Sequence, residues 1–167
     1  MKLIISGSHG TGKTTLFNDY KKVFTEYLYV KEGARTLLSK MNKTPSTMDK
    51  TEFTDFQMLY FAYQAQIETA LWDEAVIFDR CLIDILAYSE DIKEDEYKKL
   101  YKLFKTEHLT RYQGDDYKIL FCKIKHDFDF EVDEIRDNPD LKYQKMIEDR
   151  IMKYFVKFGL MDKVVMI

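Results

Sequence analysis

Eight consecutive residues constrain this chain more than any other stretch. Gly7-Ser8-His9-Gly10-Thr11-Gly12-Lys13-Thr14 fits the pattern G-x-x-x-x-G-K-[ST] at every position. Lys2–Ser6 before it is short and apolar, and Thr15-Leu16-Phe17 after it opens an amphipathic segment. A strand, a glycine-rich turn and a helix are therefore expected in that order. The glycines let the backbone curl so that successive N–H groups point inward, and the helix N-terminus adds partial positive charge. Such a loop suits the phosphates of a nucleoside triphosphate. The expected cofactors are ATP and Mg²⁺, bound by Gly7, His9, Gly10, Thr11, Gly12, Lys13, Thr14 and Thr15. Lys13 would reach the β- and γ-phosphates, and the Thr14 hydroxyl would ligate Mg²⁺.

The rest of the chain alternates between apolar runs and helical periodicity. Further strands are expected at Glu26–Lys31, Ala75–Asp79, Tyr117–Ile124 and Asp162–Ile167. Between them, Lys50–Asp73 carries a stripe of Phe53, Phe56, Tyr60, Tyr63, Ile67 and Leu71 at helical spacing. Lys40–Asp49 reads as a loop, Leu82–Asp91 and Lys93–Tyr112 as helices, and Asn138-Pro139 as the cap and first turn of a last helix ending at Gly159. Strands alternating with helices imply one α/β domain over residues 1–167: a three-layer α/β/α sandwich around a five-stranded parallel sheet. A lid is expected at about 125–138.

Composition excludes several classes. The formal net charge of −3 provides no basic field for nucleic acid. Cys81 and Cys122 have neither C-x-x-C spacing nor a metal-ligand set around them, so reduced thiols are expected. No apolar run reaches the roughly 18 residues of a membrane span, and nothing reads as a signal peptide. A cytoplasmic protein acting on a small molecule is expected, and a homodimer is compatible with the sequence. His9, His108 and His126 carry no partner pattern, so solvated surface is the default for each.

In an open parallel sheet, ligands bind beyond the carboxyl ends of the strands. Asp79 closes the third strand, where a carboxylate can hold Mg²⁺ or its water beside Thr14. Arg80 follows it and could clamp an acceptor. Glu32 at the second strand end could take the proton of a hydroxyl acceptor. Arg35, one helical turn on, could orient that acceptor or pair with Glu32. Gln57 and Gln64 could read a base edge, with Tyr60 and its aromatic neighbours beside the ring. Arg136 sits where a lid arginine would close over the γ-phosphate. The catalytic candidates are thus Lys13, Glu32, Arg80 and Arg136, and the substrate-binding candidates Arg35, Gln57, Tyr60, Gln64 and Arg80.

Taken together these residues resemble small-molecule kinases of the P-loop class. Glu32-Gly33-Ala34-Arg35, Phe78-Asp79-Arg80, Asp84, Ala87-Tyr88 and Asp133-Glu134-Ile135-Arg136 resemble motifs of the ATPase and kinase domains related to nicotinamide-riboside kinase of NAD regulators. That likeness spans nearly the whole chain. Glu32, Asp79-Arg80 and Phe56-Gln57 are similar to motifs of deoxynucleoside kinases, although an arginine-rich lid is missing. The resemblance implies the P-loop hydrolase fold with kinase-like strand order, and transfer of phosphate from ATP to a hydroxyl of a nucleoside-like acceptor. Its rivals are a nucleoside-monophosphate kinase, a GTP switch and a polynucleotide-end kinase. The switch lacks an Asn-Lys-x-Asp run after a late strand, and the acidic balance opposes a polynucleotide.

Overall fold

The computed structural model of the chain describes residues 1–124 and 141–167. Its elements, in chain order, are β1 (Lys2–Ser6), α1 (Lys13–Val23), β2 (Leu28–Val30), α2 (Gly33–Met41), α3 (Lys50–Ala70), β3 (Val76–Asp79) and α4 (Leu82–Ser89). Then come α5 (Glu94–Leu103), a π-helical turn at Phe104–His108, α6 (Leu109–Tyr112), β4 (Tyr117–Phe121), α7 (Leu141–Lys157) and β5 (Val164–Met166). The five strands form one sheet in the order β2-β3-β1-β4-β5, and every pair is parallel. The α/β architecture and its kinase-like strand order match the expectation from sequence.

Strands came out shorter than their apolar runs because pairing limits them. β2 is an edge strand that pairs only with β3, from Leu28 opposite Val76 to Val30 opposite Phe78. β4 ends at Phe121 because its partner Ser6 is the last residue of β1. The core gathers Ile4, Phe78, Ile119 and Phe121 of the sheet with Phe61, Ile83, Leu86, Ile151 and Phe155 of the helices. Each such side chain contributes about 1.5–3 kcal/mol by leaving water.

α3 starts where Asp49 accepts the Thr51 and Glu52 amides at 2.8 and 2.9 Å, while Glu52 reaches back to the Asp49 amide. This reciprocal cap satisfies orphan donors of the first turn. The buried face of α3 differs from the expected stripe. It comprises Thr54, Phe56, Gln57, Tyr60, Phe61, Gln64 and Glu68, while Tyr63 is exposed. Polar side chains with fixed partners displaced the apolar count. The expected loop from Lys40 begins two residues later, since Asn42 caps α2 in the left-handed region, and Pro45–Thr47 forms a 3₁₀ turn inside it. The expected cap at Asn138, the lid at 125–138, Arg136 and His126 lie outside the described residues.

Candidate active site

Ile5 lies opposite Asp79 and Ser6 opposite Phe121, so β1, β3 and β4 end along one edge of the sheet. The glycine-rich loop leaves β1 at that edge. Gly7 has φ +138°, and a Cβ there would sit 2.5 Å from the Cys122 carbonyl oxygen. Only glycine lets the loop pass so close to neighbouring backbone. Asp84, fully buried on α4, anchors the loop start: its Oδ1 accepts the Ser6 hydroxyl at 2.9 Å and the Gly7 amide at 3.0 Å. Its other oxygen accepts the Cys81 amide and thiol.

Lys13 opens α1 and is buried, its ammonium donating to the Ser8 carbonyl and, at 3.2 Å, to Thr11 Oγ1. Burial, seconded by the charge of Arg80, pulls its pKa down to about 7 against the opposing pull of Asp79, Glu32 and Asp84. Gly10, Gly12, Thr14 and Thr15 are exposed on the open side of the loop, and Thr11 is buried beneath it.

Arg80 occupies the left-handed region at φ +78° and is buried. Holding a non-glycine residue there costs about 1–3 kcal/mol and requires surroundings that over-determine it. They do. Its Nε donates to Glu32 Oε1 at 2.5 Å and its Nη1 to the Gly7 carbonyl at 2.9 Å, with Asp84 3.8 Å away and the Tyr88 ring over the guanidinium at 5.2 Å. Burial opposes the charge, yet Glu32, Tyr88 and Asp84 outweigh it and hold the Arg80 pKa well above its ordinary value.

A cavity of about 350 Å³ opens beside these groups. Phe53, Phe56, Tyr60, Tyr88 and Tyr143 form its aromatic wall, and His9, Glu32, Gln57 and Arg80 its polar edge. Among the described residues the buried Tyr60 hydroxyl meets no hydrogen-bond partner. Burial, with Glu32 adding to it, keeps that phenol protonated well beyond its ordinary range. Gln57 meets the Ser89 hydroxyl at 3.3 Å.

The sequence candidates thus fall into two groups. The loop, Glu32, Gln57, Tyr60, Asp79 and Arg80 gather at one sheet edge. Arg35 stands at its margin, 41% exposed, with Nε 3.8 Å from Glu32 Oε2. Gln64 is turned elsewhere: its amide donates to Glu68 Oε1 at 2.9 Å and to the Arg80 carbonyl at 3.3 Å, and it is not part of the cavity wall. Its packing supports the backbone of Arg80. His9 is half-buried against Tyr88 and Tyr143, and His108 is buried near Phe61, so neither is the solvated histidine expected.

Two features escaped sequence reasoning. The cavity wall brings Tyr88 of α4, singled out in the sequence only as part of the Ala87-Tyr88 motif, together with Tyr143 of α7, far along the chain. Glu68 is fully enclosed, accepting from Gln64, the Leu82 amide at 3.2 Å and the Tyr112 hydroxyl at 2.7 Å. Burial raises its pKa to about 7, against those three hydrogen bonds. The one sequence signal was spacing: Gln57, Gln64 and Glu68 share a helix face.

For Mg²⁺, the donor set is the Thr14 hydroxyl on the open side of the loop and the Asp79 carboxylate on the adjacent strand end. Mg²⁺ takes one or two protein oxygens and completes its shell with phosphates and water, so this set fits. No group of three or more His, Cys, Asp or Glu that could cage a metal occurs among the described residues. Nor, among them, is any helix long and apolar enough to cross a membrane.

A model of the AAA domain family matches residues 2–165. No curated protein matches the chain. Among solved structures, NadR protein in complex with NAD and AMP-PNP superposes with a TM-score of 0.72 at 20% identity. That alignment covers 99% of this chain and 43% of the NadR chain, so the chain spans less than half the length of that relative. Deoxyadenosine kinase from M. mycoides gives 0.67 at 14% identity, covering 100% of this chain and 90% of the other. Thymidylate kinase from Ehrlichia chaffeensis gives 0.54 at 18% identity, covering 100% and 91%. The fold is that of P-loop kinases.

Proposed function

The chain belongs to the AAA domain family, and from that footing we propose that it transfers the γ-phosphoryl group of ATP to a hydroxyl of a small nucleoside-like acceptor. The observation that carries this reading is the aromatic cavity with Glu32 and Arg80 on its edge, joined to the phosphate loop through His9. A flat ring suits the five aromatic side chains. Gln57 and the Tyr60 hydroxyl supply directional contacts at the ring's edge.

Lys13 and the loop amides bind and orient the triphosphate. Mg²⁺, held by Thr14 and Asp79 with the phosphates, would neutralise charge on the transferring group. Arg80 fixes the Glu32 carboxylate in place. That carboxylate accepts the proton of the acceptor hydroxyl as its oxygen bonds to the γ-phosphorus, and the bond to the ADP oxygen breaks. The aromatic wall excludes water that would otherwise take the phosphoryl group. Arg136, outside the described residues, would by the resemblance of Asp133-Glu134-Ile135-Arg136 to a kinase lid motif close over the γ-phosphate.

The Arg80–Glu32 pair also weighs against the nearest rival. A phosphate acceptor needs free positive clamps, whereas the Arg80 guanidinium is already engaged by Glu32 and the Gly7 carbonyl. The test is a transfer assay with radiolabelled ATP against nicotinamide riboside, deoxyadenosine, thymidine and thymidylate. Labelled product from at least one of the three nucleosides supports the reading. Transfer to thymidylate alone would replace it with the nucleoside-monophosphate kinase, and release of phosphate with no transfer would point to a hydrolase.

A further inference from the structure

Residue 9 of the phosphate loop is gripped from outside the loop on both sides of its backbone. Its N–H donates to the Tyr88 hydroxyl at 3.0 Å, and its carbonyl accepts the Gln144 amide of α7. The Tyr88 hydroxyl also lies 3.1 Å from His9 Nδ1, so with the imidazole in its Nε2–H tautomer the phenol donates in return. The ring of Tyr88 does something different. It forms part of the cavity wall, lies over the Arg80 guanidinium, and meets the Tyr143 ring edge-on with centroids 6.4 Å apart. One side chain therefore has its face in the acceptor cavity and its hydroxyl on the donor loop. Gln144 holds the same loop residue but takes no part in the cavity wall.

We propose that Tyr88 is a positioning residue that couples occupancy of the acceptor cavity to nucleotide binding in the phosphate loop. The proposal rests on the kinase reading above and adds to it the route between the two half-sites. An acceptor ring packed against Tyr88 restricts its motion, and with it the backbone at His9. The ordering of the loop is then shared between two ligands, so each tightens the other's binding by the same factor.

Titration of AMP-PNP with Mg²⁺ tests this by calorimetry, with and without whichever nucleoside scores in the transfer panel. In the native protein the nucleoside should tighten AMP-PNP binding about three- to tenfold. Tyr88→Phe keeps the ring and removes the hydroxyl. It should weaken AMP-PNP binding about fivefold, the value of one hydrogen bond. It should also abolish the tightening while leaving nucleoside affinity within twofold. Tyr88→Leu should lose affinity for both ligands. Gln144→Leu should weaken AMP-PNP similarly yet retain the tightening, which separates coupling from general loosening of the loop. The proposal falls if Tyr88→Phe binds AMP-PNP as the native protein does, or retains the tightening. Native protein that binds AMP-PNP and nucleoside without mutual effect overturns it too, while leaving the kinase reading in place. Native protein that binds no AMP-PNP overturns the kinase reading and this proposal together.

Discussion

Lys13 carries a charge that depends on what surrounds it. Burial and Arg80 hold its pKa down to about 7, so a triphosphate, which favours the ammonium, should draw a proton onto it above that pH. Nucleotide binding at pH 8 should therefore take up close to one proton, and at pH 6 almost none. Calorimetry in buffers of differing ionisation enthalpy measures that number. Lys13→Ala should abolish the uptake and lower nucleotide affinity at least a hundredfold. Glu32 makes a complementary case. Glu32→Gln keeps an acceptor beside Arg80 but no base, so kcat should fall by about two to four orders of magnitude while AMP-PNP affinity changes little. Equal losses in both would assign Glu32 to binding alone. These residues were legible in the sequence because each sits at a strand end or inside a contiguous motif. The wall shared by Tyr88 and Tyr143 was not, because it is assembled from helices more than fifty residues apart.

At the scale of elements, the junction of α2 and α3 is set by a missing side chain. A Cβ on Gly33 would lie 2.6 Å from the Tyr63 ring and 3.3 Å from Tyr60. Gly33→Ala should push α2 away, lower stability by about 1–3 kcal/mol, and displace the adjoining Glu32. A fall in thermal midpoint together with a fall in kcat would verify this. The packing of α3 on α4 carries a second, pH-dependent term. Glu68 is held at about 7, above the 4.5 of a free glutamate, so the folded state favours its neutral form. Its contribution is fully present below the unfolded pKa and is lost as pH rises through 7. Stability should decline between about pH 4.5 and pH 7 and level off above that, and Glu68→Gln should flatten the decline in urea titrations. Periodicity could not reveal this glutamate. A charged residue in a helix is read as solvated, and only the tertiary position of Tyr112 and the Leu82 amide makes it a buried acceptor.

For the whole molecule, the parallel α/β sheet followed from alternating elements, and its kinase-like strand order from the resemblance to P-loop kinases. Strand ends were less legible, since pairing partners rather than composition trim them. A ligand that binds only the folded chain raises its stability by mass action. AMP-PNP with Mg²⁺ at a hundredfold excess over its Kd adds about 2.7 kcal/mol, which for a chain of this size means a rise of roughly 5–11 °C in thermal midpoint. No shift at that excess would contradict a nucleotide site in the loop. The sheet order has one more consequence, in the time course of synthesis. β1 is made first and lies in the middle of the finished sheet, and β2 cannot pair until β3 has been made to lie between them. A nascent chain that ends before Val76 therefore holds two strands with nothing to pair to, and helices with no sheet to cover. Its glycine-rich loop, translated before the rest of the site, must wait for the neighbours that hold its shape: Asp84 and Tyr88, then Cys122 and Gln144. The earliest-written part of the site is the last to be finished.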